Sequence, residues 1–139
     1  MSAVFQQVMR DISGTLKRAY NAPAPVIVPG GGSYGMEAVA RQFAQDRHCL
    51  VIRNGWFSYR WTQIFEMGRI PSSVTVLKAR ATSSDAQAAY APPPVDEAVQ
   101  RILDEKPAVV FAPHVDTSSG MSLPDDYLKA VGEAVTRTG

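Results

Sequence analysis

The chain has 139 residues, 45% of them hydrophobic, and its 14 Lys and Arg stand against 13 Asp and Glu. That length supports one domain with a real core and is too short for two ordinary ones. Balanced charge without a run of one sign argues against nucleic acid or an anionic membrane as a partner, and no apolar stretch approaches transmembrane length.

Met1 to Gln7 has neither the basic nor the apolar region of a secretory signal. Cys49 is the single cysteine, which excludes an internal disulfide and fits a reducing, cytoplasmic setting. Val4, Phe5, Val8, Ile12 and Leu16 recur at helical spacing on one broad face, predicting a helix over residues 2–20. Asn21-Ala22-Pro23-Ala24-Pro25 breaks it and leads into an expected strand, Val26 to Val28. Gly30-Gly31-Gly32 predicts a turn, with Ser33 as N-cap of a helix from about Tyr34 to Gln45 whose inner residues are Met36, Val39, Ala40 and Phe43.

A second strand is expected over Cys49–Arg53, and its thiol reads as buried. Asn54-Gly55 turns the chain into an aromatic helix, Trp56 to Met67, with Gly68 as its C-cap. A third strand spans Val74 to Leu77. Thr82 to Pro94 has low complexity and reads as a loop. Val95 to Glu105 is a helix with Val95, Val99, Ile102 and Leu103 inward, and Ala108 to Ala112 is a buried fourth strand. Pro113 to Met121 is a polar loop. Pro124, Asp125 and Asp126 open a final helix, Tyr127 to about Thr136.

Alternation of this kind predicts an α/β fold with a mostly parallel sheet and flanking helices. Ligands of such sheets bind beyond the carboxyl ends of the strands. The loops there are 30–33, 53–57, 78–80 and 114–120.

The first of these loops precedes a helix, whose free amides and positive dipole end favour an anion such as phosphate. Gly30-x-Gly32-x-x-Gly35 also matches the dinucleotide fingerprint, although the second strand ends in Arg53-Asn54 where an acid would bind ribose. Arg53 can meet a 2′-phosphate, so an NADP-binding, Rossmann-like oxidoreductase domain is an alternative. Trp56, Phe57, Tyr59 and Trp61 crowd the second loop; Phe57 and Trp61, at i and i+4, form either a buried stripe or a platform for a flat ring. His114-Val115-Asp116-Thr117-Ser118-Ser119-Gly120 is a polar set whose serines lack a nucleophile elbow. His48 and His114 lack a second ligand at a metal-binding spacing, and no metal is expected.

Three stretches together resemble the large domain of class V aminotransferases, the pyridoxal-phosphate enzymes that include alanine–glyoxylate and serine–glyoxylate aminotransferases. They are Pro29 to Ala38, Asn54 to Trp61 and His114 to Gly120, in family order and with fitting gaps. The resemblance implies a fold-type I transferase, present as part of its large domain, that moves an amino group from an amino acid to a 2-oxo acid on pyridoxal 5′-phosphate. It implies that Gly31, Gly32 and Ser33 hold the cofactor phosphate and that Phe57 stacks on the pyridine ring. Thr117 falls where a hydroxyl meets the phenolic oxygen, beside Asp116, which replaces the usual Glu.

Gly31 stands where many relatives carry Ser. None of Lys17, Lys78, Lys106 and Lys129 matches the family's Schiff-base lysine, so a truncated segment, inactive alone and with an unpaired sheet edge, is expected. Residues 1–22 are expected to form a helix that can face a partner in a homodimer, and 23–139 an incomplete cofactor-binding domain. A non-catalytic partner of a full-length subunit is the remaining alternative.

Overall fold

A computed structural model describes residues 2–139. The chain falls into two compact units, one running to Gly31 and the other spanning Gly32–Gly139.

In the first unit, helix α1 runs Ala3–Tyr20. The Ser2 hydroxyl opens it by accepting from the Phe5 amide at 3.2 Å. Asn21 closes it in the left-handed region, φ 47°, a conformation that Asn tolerates better than most residues. None of its residues is buried, and Val4, Phe5, Val8 and Ile12 are exposed. The strand expected at Val26–Val28 does not form; these residues are irregular and exposed. Pro23 and Pro25 keep the segment extended, but a strand also needs a neighbour for its backbone groups, and no ladder includes it.

The second unit contains α2 (Gly32–Phe43), β1 (His48–Arg53), α3 (Trp56–Gly68), β2 (Ser73–Lys78), the short β3 (Arg80–Ala81) and β4 (Tyr90–Ala91), then α4 (Val95–Glu105). β5 (Val109–Phe111), β6 (Val115–Asp116), β7 (Met121–Ser122) and α5 (Asp125–Thr138) complete it. β1 is the centre of a parallel sheet ordered β2-β1-β5, with Cys49 level with Val74 on one side and Val109 on the other. The other four strands form two antiparallel hairpins, β3–β4 and β6–β7. The low-complexity stretch thus joins the two strands of one small ladder and contains its second strand, and the polar loop runs into another. Their Ala, Ser and Thr residues carry no alternation from which pairing is read.

β1 is apolar on both faces, as a central parallel strand must be. Leu50 and Ile52 pack with Leu77, Ala98, Ile102, Leu123, Tyr127 and Val131 under α4 and α5. Cys49 and Val51 face the other way, onto Ala40, Ala44, Phe65, Ile70 and Phe111 under α2 and α3. Burial pushes the Cys49 thiol above its ordinary range, as expected of a packed sulfur. The Tyr127 hydroxyl donates to the Pro93 carbonyl at 3.0 Å and ties the proline run to α5. Burial, with help from the Glu97 carboxylate, pushes that phenol up to about 12.

Two expectations about packing change. Val39 and Phe43 lie exposed, and the buried contact is made by the small Ala40 of α2 with Ala44 just beyond the helix end. Gly68 is the last residue of α3, and the left-handed cap is Arg69, φ 49°. Gly68 serves packing: a Cβ there would lie 2.8 Å from the Ile70 side chain.

At the amino end of the sheet, His48 bonds the Ser73 hydroxyl through Nδ1 at 2.8 Å and the Glu105 carboxylate through Nε2 at 3.1 Å. Thr75 donates to the same Glu105 oxygen at 2.5 Å, and Arg101 reaches the other at 2.6 Å. The Thr75 bond lowers the Glu105 carboxyl below its ordinary value against the upward push of burial, with smaller help from Arg101 and His48. A carboxyl lowered by folding stabilises the native state above its unfolded value and loses that contribution as pH falls through its folded one. We predict that Glu105→Gln flattens the acid side of a plot of melting temperature against pH. An unchanged acid slope in the variant contradicts this assignment.

Candidate functional site

Loops from β1 and β5, neighbours in the sheet, meet beyond the carboxyl ends of those strands. From β1, Asn54 and Gly55 lead into α3; from β5, the chain enters the β6–β7 hairpin. Asp116 of that hairpin is 1% exposed. Its Oδ2 accepts from the Ser58 amide at 2.9 Å and from the Ser58 hydroxyl at 2.6 Å, across 58 residues. The Phe57 amide also bonds this carboxylate. Ser118 accepts from the Trp56 amide at 2.6 Å and donates to Asp116 Oδ1 at 2.6 Å. The first three amides of α3 therefore end on one hairpin. They are groups that a helix cannot satisfy by itself.

Burial alone would raise the Asp116 carboxyl. Hydrogen bonds from the Ser118 and Ser58 hydroxyls, then from the Ser58 and Phe57 amides, outweigh it and hold the group below the ordinary range. The resulting negative charge faces the positive end of α3.

Gly55 permits this approach. Its φ of −173° is ordinary extended backbone, but a Cβ would lie 2.6 Å from Ser118 Oγ and 2.7 Å from Asp116 Oδ1. Next to it, buried Asn54 gives its amide to the Ser58 hydroxyl at 2.8 Å, while its Oδ1 is buried without a partner.

A second cluster stands on the outer side of α3. Arg60 donates from Nη1 to Ser33 Oγ at 2.8 Å, and its guanidinium carbon lies 5.7 Å from the centre of the Phe57 ring. Phe57 is 45% exposed, which leaves ring surface available for stacking. Ser33 sits within α2, one residue inside its start at Gly32, so its side chain faces Arg60 instead of capping the helix. Gly30 needs to be glycine at φ 139°, whereas side chains at Gly31, Gly32 or Gly35 would meet nothing within 4 Å.

The structure thus draws Ser33 and Phe57 together around Arg60 and puts Asp116 on the amides of Phe57 and Ser58. Gly31 ends the first unit, and Thr117 is exposed in the hairpin, bonded to none of the other five expected residues through its side chain. The aromatic pair divides: Phe57 faces outward, while the Trp61 ring packs 4.5 Å from Phe111 in the core. Ser58 and Ser118 were not singled out from the sequence, which also gives no reason to choose between Arg53 and Arg60 as an anion-binding arginine. For Arg60 the available signal was its position one turn after Phe57, with no acid at the neighbouring helical positions.

Arg53 lies elsewhere, reaching the Thr62 hydroxyl at 3.4 Å and resting 4.9 Å from the centre of the Tyr59 ring. It lines an open groove of about 710 Å³ with Tyr59, Thr62, Glu66 and Ser73 that includes none of the six expected residues. Among the described residues no group of His, Cys, Asp and Glu is arranged to hold a metal, and no helix is long and apolar enough to cross a membrane.

We predict that Asp116→Ala destabilises the chain by about 3 kcal/mol, because it leaves the buried Ser58 amide without an acceptor and removes the bonds from the Phe57 amide and the Ser58 and Ser118 hydroxyls. Asp116→Asn, which retains one acceptor, is expected to cost about half as much. Gly55→Ala should lower stability by roughly 1–3 kcal/mol through the same bonds. Urea unfolding measures all three, and a Gly55→Ala midpoint equal to wild type overturns the close-approach account.

No protein-family model matches the chain, and no curated protein matches it. Among solved structures it is similar to ureidoglycine-glyoxylate aminotransferase from Bacillus subtilis, with a TM-score of 0.74 and 24% sequence identity. The likeness covers 97% of this chain and 32% of that one, so the chain spans about a third of that enzyme's length. It has the fold of part of an aminotransferase: a parallel three-stranded sheet between helices.

Proposed function

We propose that this chain is the cofactor-holding part of a pyridoxal-phosphate-dependent, class V-type aminotransferase. The observation that carries the proposal is the corner formed by the Ser33 hydroxyl, the Arg60 cation and the exposed Phe57 ring, at the head of the helix that follows β1. Its donors suit a phosphorylated aromatic ring: a hydroxyl, a guanidinium and the first-turn amides of α2 for an anion, an apolar face for a flat heterocycle.

When bound, pyridoxal 5′-phosphate supplies the electron sink for amino transfer between an amino acid and a 2-oxo acid. The residues of this chain bind and orient. Gly31, Gly32 and Ser33 provide phosphate donors, and Phe57 supports the ring. Thr117 offers a hydroxyl to the ring oxygen. Asp116 acts through α3, whose first turn it fixes and with it Phe57. We assign no proton transfer to Lys17, Lys78, Lys106 or Lys129, and the complete transfer reaction is not assigned to this chain alone. A homodimer, to which α1 contributes a face, and a cytoplasmic setting belong to the same proposal.

The test is titration of the purified chain with pyridoxine 5′-phosphate, which has no aldehyde to react with surface lysines. Quenching of Trp56 and Trp61 fluorescence should saturate, inorganic phosphate should reverse it, and pyridoxine without phosphate should bind at least tenfold more weakly. NADPH is expected to give no saturable change. Absence of saturable quenching by the phosphate ester refutes the proposal, and saturable binding of NADPH alone replaces it with a dinucleotide site.

A further inference from the structure

We propose that Arg60 is the residue that makes the site select a phosphate ester over the unphosphorylated ring, an inference that rests on the cofactor-binding function proposed above. Three observations converge on it. First, among the described residues Arg60 has no carboxylate partner, whereas Arg41, Arg80 and Arg101 each pair with a glutamate at 2.6–2.7 Å. A half-buried guanidinium without a counter-ion is open to an anion from solution. Second, its one hydrogen bond goes to the hydroxyl of Ser33, in the first turn of α2. That bond uses one of five N–H donors and a lone pair of the hydroxyl, leaving the Ser33 proton and the rest of the guanidinium for phosphate oxygens.

Third, the same guanidinium lies near the Phe57 ring. A phosphate held by Arg60 therefore lies beside the Phe57 ring, one helical turn away, while the ring itself is carried by Phe57. Arg53, the other arginine of this region, is a poorer candidate. It bonds Thr62, rests by Tyr59 and shares its groove with Glu66, whose charge opposes an anion. A planar fork that binds oxygens in pairs suits phosphate better than an ammonium does, so lysine is not an equivalent replacement.

The test compares wild type, Arg60→Gln and Arg60→Lys, each confirmed folded by thermal melting, in fluorescence titrations with pyridoxine 5′-phosphate and with pyridoxine. Arg60→Gln should weaken the phosphate ester by about tenfold to a hundredfold and leave pyridoxine unchanged, and Arg60→Lys should fall between the two. Equal affinity of wild type and both variants for the phosphate ester overturns the role of Arg60 while the site stands. An equal loss for both ligands overturns it too, because the residue then only supports structure. If glyoxylate relieves the quenching in wild type but not in Arg60→Gln, and inorganic phosphate does neither, Arg60 serves a carboxylate and the inference fails. If wild type binds neither ligand, the cofactor site and the inference fall together.

Discussion

One carboxylate organises the functional end of the molecule. Asp116 comes from the hairpin behind β5, yet its oxygens and those of its neighbour Ser118 take the first amides of α3, behind β1. A buried, unpaired carboxylate would be costly, and so would the buried Ser58 amide without an acceptor. Brought together, each removes the penalty of the other, and charge-assisted bonds of this kind contribute about 1.5–3 kcal/mol apiece. Everything that α3 presents depends on where its first turn is held. Trp61 and Phe65 go to the core beside Phe111, while Phe57 and Arg60 go to the surface beside Ser33.

The two ends of the sheet are closed by different chemistry. At the amino end, His48, Ser73, Thr75 and Glu105 cross-link β1, β2 and α4 through side chains that water partly reaches. At the carboxyl end the closure centres on the buried Asp116 and is made largely to backbone. Between them, β1 alternates Leu50 and Ile52 toward α4 and α5 with Cys49 and Val51 toward α2 and α3. A slip of one residue would exchange the two sets, so the register that carries Asn54 to the mouth of the sheet is strongly fixed.

The elements with the strongest periodicity were legible from sequence: α1, α3, α4, α5 and the strands at 48–53, 73–78 and 109–111 agree with expectation to within a few residues. What escaped has physical causes. Val26-Ile27-Val28 has strand composition, but composition does not supply a neighbouring strand. Gly68 looked like a cap because glycine tolerates positive φ, when its use here is to make room for Ile70. The β3–β4 and β6–β7 ladders are two residues per strand, too short to leave a pattern. Of the expected site residues, Ser33 and Asp116 each come to Phe57, one through Arg60 and the other through its amide, because the loop positions followed from the α/β alternation. Arg60 escaped because its meaning lies in the hydroxyl it reaches, 27 residues away.

The reach of Asp116 also bears on how the chain acquires its shape. Helix α3 is complete in sequence by Gly68, but the groups that finish its first turn are not synthesised until Asp116 and Ser118, after β2, α4 and β5. Until then its opening amides have only water, and nothing fixes the direction in which Phe57 points. The corner where Phe57 and Arg60 meet Ser33 is therefore among the last parts to gain order, since it waits on a loop closure that local helix formation does not supply.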